Sequence, residues 1–219
     1  KHIQSKKKDK ILLIQNKALE LSLFLSIPAS VALLIGSEYI TSALFGYGSF
    51  NEIAVANSAK ALYFFALGLP AFSLIKIFSS FFFANHNTKT PFYISLFSVL
   101  LNIVISIYYF KEIGFIIIPI ATSISSWING ILLFVFLKKD NLFIFNKIFI
   151  LRFIKIIFTS VLMGILFNFL LIYFKDQLVF EHNMKSFYII LIVLISLLFY
   201  LFVSYWIRAF KISDFKLNY

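Results

Sequence analysis

SLIKIFSSFFFANHNTKTP, residues 73–91, is the stretch from which the fold is read. It places Lys76 inside a run that is otherwise apolar from Ala61 to Ala84, and then stops at a polar loop closed by Pro91. An ammonium at membrane depth costs roughly 2.5–3.5 kcal/mol on insertion scales unless it faces a partner or a water-filled cavity. A chain that keeps such a residue has a polar interior to receive it, and the remaining sequence reads as the wall of that interior.

Composition agrees. Hydrophobic residues make up 61% of the 219 and charged residues 13%, with a mean hydropathy of +0.95. A soluble domain is about half apolar and about a quarter charged, so this is an all-α, polytopic membrane bundle. Cysteine is absent, which removes disulfides and thiolate metal sites. The abundance of Phe, Ile, Lys and Asn points to an AT-rich genome rather than to a function. The chain starts at Lys1 with no cleavable signal ahead of its first apolar span, and is expected to be a fragment of a longer protein.

Six windows reach the ~20 residues that cross a ~30 Å hydrocarbon core: 18–36, 61–84, 91–110, 114–137, 156–174 and 187–207. An even number puts both ends on one side. The net charge of +11 raises nucleic acid as a partner, and charge placement excludes it: fifteen of the 20 Lys and Arg fall on that same side. They lie in the arm before the first span, in the loops after the second and fourth, and in the tail. By the positive-inside rule this side is cytoplasmic. The organisation is then a basic arm (1–17), four helices (18–137), a basic loop (138–155), two further helices (156–207) and a tail (208–219). Ile11 to Ile14 reads either as the start of an interfacial helix or as part of a solvated linker.

Polar residues recur on helical stripes. The first span carries Ser22, Ser26 and Ser30, with Glu20 at its inner end and Pro28 freeing a backbone carbonyl for a neighbour to satisfy. A long outer loop is expected from Ser37 to Lys60, holding Glu38 and Glu52. In the second span Gly68 and Pro70 predict a kink, below which Ser73, Lys76 and Ser80 share a stripe. Lys76 lies roughly 12 Å from the inner end at 1.5 Å per residue, near the limit of snorkelling. It either snorkels or faces a cavity or ion pair, and the second reading is preferred. Ser95, Ser98, Asn102 and Ser106 line one face of the third span. Thr122, Ser125, Ser126 and Asn129 stripe the fourth. The two asparagines call for hydrogen bonds, to each other or to other groups across the helices, and either can also line a polar lumen. The fifth span is weakly striped by Ser160, Gly164 and Asn168. The sixth is almost wholly apolar, with Tyr205 and Trp206 as an interfacial belt.

No phosphate loop, metal-ligand spacing or paired intramembrane acids occur; His2, His86 and His182 lie in separate segments. The expectation is a transporter rather than an enzyme, without cofactor or metal.

LIKIFSSFFFANHNTKTP, followed by a span bearing Asn102, resembles the signature of the MurJ (MviN) lipid II flippase family. Lys76, Phe82, Phe83, Ala84, Asn87, Thr88, Lys89, Thr90 and Pro91 occupy the motif's places. Phe83 stands where the family usually has Tyr, and Asn87 where Asp is common. Pro28 in LSIPASVALL, the turn FGYGSF (45–50), Gly114 with Ala121, Thr122, Ser123 and Asn129, and the tail FKISDF (210–215) are similar too. The resemblance is to the last six spans only; the half of the family that supplies most cavity arginines has no counterpart here.

It implies alternating access for an undecaprenyl-pyrophosphate-linked peptidoglycan precursor, with Lys76 lending charge to the cavity and Ser73, Asn102 and Asn129 lending hydrogen bonds. It further implies a lipid-tail groove on the last two spans, and as partners the membrane lipids and the N-terminal half. Alternatives are another polyprenyl-linked polysaccharide or multidrug exporter of the same superfamily, a membrane-embedded transferase on lipid-linked sugars, or a non-transporting membrane fragment.

Overall fold

A computed structural model describes residues 2–209, with side chains from residue 11 onward. Among them are six α-helices: α1 (His2–Phe45), α2 (Glu52–Ala84), α3 (Lys89–Ile113), α4 (Ile117–Lys139), α5 (Lys147–Tyr173) and α6 (Lys185–Trp206). Five apolar helical stretches are long enough to cross a membrane; one of these, Lys89–Lys139, is the α3–α4 pair joined through a 3-10 turn at Gly114–Ile116. The six expected spans each fall on one helix. The motif similarity at 210–215 lies outside the described residues.

The helices outrun the apolar windows, because hydropathy marks the part that prefers lipid and not the point where the backbone stops coiling. The basic arm is therefore helical, and α1 runs for 44 residues, ~66 Å at 1.5 Å per residue. The long outer loop expected from Ser37 to Lys60 is a correction. Nothing between 37 and 45 breaks a helix, so α1 continues to Phe45, and Asn51 caps α2 by accepting from the Ala54 amide at 3.0 Å. The connection is only residues 46–51. Similarly Asn146 caps α5, which starts well before the apolar window at 156.

The helices form a row: α3 packs on α4, α4 on α2, α2 on α1, α1 on α5 and α5 on α6, with α6 also touching α1; α2 and α3 barely meet. At the end of the bundle holding the α4–α5 loop, rings fill the space between helices. Phe78, Phe81, Phe82, Phe143 and Phe149 are buried there with Leu19, Leu23, Leu133 and Leu137. Asn16 clasps the loop, donating to the Ile144 carbonyl at 3.0 Å and accepting from the Asn146 amide at 3.2 Å. Close by, Arg152 of α5 donates to Glu20 of α1 at 2.6 Å, both side chains mostly buried.

Both kinking prolines are provided for. Pro28 has no N–H for the Phe24 carbonyl one turn back, and the Tyr200 hydroxyl of α6 donates to that carbonyl at 2.8 Å. Pro70 leaves the Ala66 carbonyl open in the same way, and Ser30 of α1 donates to it at 2.6 Å. Pro91 and Pro119 fall in the first turns of α3 and α4, where the missing N–H would have had no helical partner. Tyr200→Phe and Ser30→Ala should each cost about 1–3 kcal/mol, the penalty for a buried acceptor left unpaired, read as a lowered thermal midpoint in detergent. Unchanged midpoints would mean that water or another donor reaches those carbonyls.

Candidate functional site

The site is organised around the middle of α2. Above Lys76 the helix carries Gly68 and Pro70, and three side chains of its neighbours donate to its loosened backbone. Ser30 reaches Ala66, Ser123 of α4 reaches the Phe64 carbonyl, and Trp127 of α4 donates to Leu67 at 2.9 Å. A Cβ on Gly68 would stand 3.2 Å from the Cα of Ser123, so the residue without a side chain is what lets α4 come this close. The backbone opened by Pro70 is thus held by the α1–α2–α4 packing.

Below it, Lys76 is exposed on the face of α2 that neither α1 nor α4 covers, and it makes no hydrogen bond or ion pair among the described residues. Leu74 and Phe78 lie on the opposite side of the helix, packed inward with the core of rings. Ser73, half-buried, borders the lysine face, and Ser80 is satisfied within its own helix by the Ile77 carbonyl at 2.7 Å. The described cavities are lined by other residues.

The motif loop is a stop-and-restart device. His86 takes the left-handed conformation (φ 57°) that ends α2, with the Asn85, His86 and Asn87 amides donating to Phe82 and Phe83 carbonyls. Asn87 then starts α3: its Oδ1 accepts from the Thr90 amide at 3.1 Å, and its Nδ2 donates to the Thr90 hydroxyl at 3.0 Å. Thr88 and Lys89 are exposed and Pro91 is buried against the bundle. An aspartate at 87 would accept from the same amide. Asn87→Ala should destabilise by about 1 kcal/mol and Asn87→Asp by only a few tenths, measured as thermal midpoints; equal losses would discount the cap.

Asn102 makes the interhelical contact its sequence position calls for. Its Nδ2 donates to Thr122 at 3.0 Å and to Ser125 at 3.3 Å across the α3–α4 hairpin, and Ser106 donates to its Oδ1 at 3.5 Å. Asn129 is not its partner. It lies one turn along α4 from Ser125, buried, with Oδ1 unpaired among the described residues. The structure therefore joins Asn102 to the hairpin seam and leaves Lys76 on a separate helix face.

One constellation escaped the sequence. Lys185, at the first position of α6, is 1% exposed. Its Nζ donates to the carbonyls of Gly46 at 2.7 Å and Phe180 at 2.6 Å. It also stands over the rings of Tyr47 and Phe180 at 4.5 and 4.2 Å. Ser186 donates to Ala43, and its Oγ lies 2.6 Å from the Tyr47 hydroxyl. A Cβ at Gly46 would meet the Ser42 carbonyl at 2.6 Å and Lys185 Nζ at 3.1 Å. The FGYGSF turn is the lid of an ammonium cage that fastens α6 to the end of α1.

Comparison with known proteins gives a consistent set of likenesses. A family model described as "Lipid II flippase MurJ" matches residues 1–188. The chain is 40% identical over 128 residues to a probable lipid II flippase MurJ of Rickettsia prowazekii, covering 58% of this chain and 25% of that protein. It is 32% identical over 171 residues to one from Buchnera aphidicola subsp. Baizongia pistaciae, covering 78% of this chain and 32% of that protein. A solved structure described as "Lipid II flippase MurJ, inward closed conformation" superposes with a TM-score of 0.74 at 28% identity, over 93% of this chain and 41% of that one. The chain thus spans about a quarter to a third of the length of the curated relatives it matches.

Proposed function

The chain belongs to the MurJ lipid II flippase family, and on that premise we propose that it forms part of a flippase moving a lipid-linked peptidoglycan precursor between leaflets. The observation that carries this reading is Lys76. A lysine in the inner half of a membrane helix, exposed and unpaired among the described residues, needs a polar space in front of it. An anionic pyrophosphate is the natural counter-charge, and an undecaprenyl carrier fits the apolar surroundings. The membrane is the bacterial inner membrane, with the lysine-rich ends of the helices cytoplasmic.

In this reading the cavity lies between the Lys76 face and a second helix bundle that this chain does not itself supply. Alternating access then amounts to rocking of the two bodies about the bound headgroup. The backbone hydrogen bonds around Pro70 let α1, α2 and α4 move as one rigid half, so Lys76 travels with its wall. Ser73 borders the same space. Asn102 and Asn129 stiffen the α3–α4 hairpin at its edge, and the motif loop at 87–91 fixes the angle between α2 and α3.

The test is a chimera in which residues 1–209 replace the matching part of a MurJ relative, assayed for translocation of lipid II in vesicles and for rescue of a depleted strain. Translocation supports the reading. A chimera that inserts, folds and moves nothing would overturn it.

A further inference from the structure

A second feature lies on the side of α2 away from Lys76. Pro70, Leu74 and Phe78 form one wall of an apolar groove of about 600 Å³ whose other walls come from α1, α4 and α5. At 100° per residue Lys76 stands about 200° around the helix from Leu74, so the groove and the lysine face opposite ways. On α5 the lining runs from Phe149 to Ile157, ~12 Å at 1.5 Å per residue. That is under half of a ~30 Å hydrocarbon core and fits within one leaflet.

Its shape is kept open by a glycine that packing does not require. At Gly36, Gly46, Gly68 and Gly164 a Cβ would stand under 3.0 Å from a neighbour, and Gly48 and Gly114 have positive φ. Gly130 has neither reason: a Cβ there would meet only Ile75 Cγ1, at 3.9 Å. A helix interior does not favour glycine without cause. Gly130 lines the groove, and the missing side chain is room inside it.

The mouth of the groove is basic. On α4 the lining residues Trp127, Ile131 and Phe134 continue, one turn on, to Lys138. Lys147 opens α5 across the short loop. Both lysines are exposed, and neither makes an ion pair or hydrogen bond among the described residues. Asp140 is the acid of that loop, so the charge at the mouth remains positive. Nearby Arg152 is occupied by Glu20, and Lys139 is drawn over the Phe136 ring at 5.9 Å.

We propose that this groove binds an anionic glycerophospholipid of the leaflet on the basic side, one acyl chain lying along the groove past Gly130 and the headgroup phosphate held by Lys138 and Lys147. The claim needs only that the chain crosses a membrane. It is independent of the transport reading and concerns the opposite face of α2.

The full chain, purified and stripped of lipid, is titrated with phosphatidylglycerol or phosphatidylcholine of identical acyl chains, and retention is read by native mass spectrometry. Two lysines beside an anionic headgroup give roughly a thirtyfold preference for phosphatidylglycerol. The double variant Lys138→Gln, Lys147→Gln abolishes that preference, and Gly130→Leu, which plugs the groove, loses retention of both lipids. Gly130→Ala, which meets only an ordinary contact, gives a smaller loss should the leucine variant fail to fold. Equal retention of the two lipids by the parent chain, a preference surviving the double lysine change, or unaltered retention in both Gly130 variants would each overturn the proposal.

Discussion

Replacing Lys76 by alanine in the flippase chimera will lower lipid II translocation at least about tenfold, the factor that each 1.36 kcal/mol of barrier represents, and will leave the fold intact. Both halves of that statement come from the same geometry. The side chain is exposed and makes no hydrogen bond or ion pair among the described residues, so its removal leaves no buried partner orphaned and no cavity behind. On the reading proposed above, what is lost is positive charge facing the polar space that the headgroup would enter. Lys76→Arg keeps the charge and should keep most of the activity; Lys76→Met keeps the stem and should behave like alanine. Full translocation by the alanine variant, with normal insertion, would mean that the lysine merely snorkels to the headgroups.

The largest effect on stability is expected at Lys185. Its ammonium is shielded by Tyr47 and Phe180 and donates to two carbonyls that have been taken out of water. Lys185→Met retains the stem's packing but leaves Gly46 and Phe180 without their donor, at about 1–3 kcal/mol for each unpaired buried acceptor. Part of this is offset, because the ammonium no longer has to be desolvated. The net loss should be about 3 kcal/mol, which lowers the thermal midpoint by roughly 6–12 °C for a chain of this size. Lys185→Arg should recover only part of it, since a planar guanidinium does not fit a cage shaped for a point charge. A methionine variant that melts with the parent would show that the cage is open to water.

How much of this could be read from the sequence follows from the reach of each signal. The six apolar windows each fall on one helix because partition into lipid is a local property of about twenty residues. Helix ends were less legible. The arm before Lys17 and the stretch from Ser37 to Phe45 are helical although polar residues interrupt them, since hydropathy does not report backbone hydrogen bonding. Lys76 stood out as the charge within an apolar window, and Asn102 announced a partner because both α3 and α4 carried polar stripes. Its partners, Thr122 and Ser125 rather than Asn129, depended on the register of the hairpin, which is set by the turn at Gly114 and the contacts along it. Lys185 was invisible. It sits just outside an apolar span, where lysines commonly meet water, and only the return of the FGYGSF turn from 139 residues away in the chain buries it. The donors to the proline-freed carbonyls fall between. Pro28 foretold an open carbonyl, but nothing local pointed to Tyr200.

That last pairing bears on how the protein is made. The Phe24 carbonyl is synthesised 176 residues before the Tyr200 hydroxyl that serves it. The Ala66 carbonyl of α2, by contrast, is served by Ser30 of a helix already synthesised. During insertion α1 and α2 can therefore settle against each other early, while the Phe24 carbonyl of α1 meets its Tyr200 donor only when α6 arrives. A chain cut before Tyr200 would lose the hydrogen bond by which α6 serves that carbonyl. The packing of α1 is thus settled in two stages, against α2 at once and against α6 only after a further 176 residues have been made.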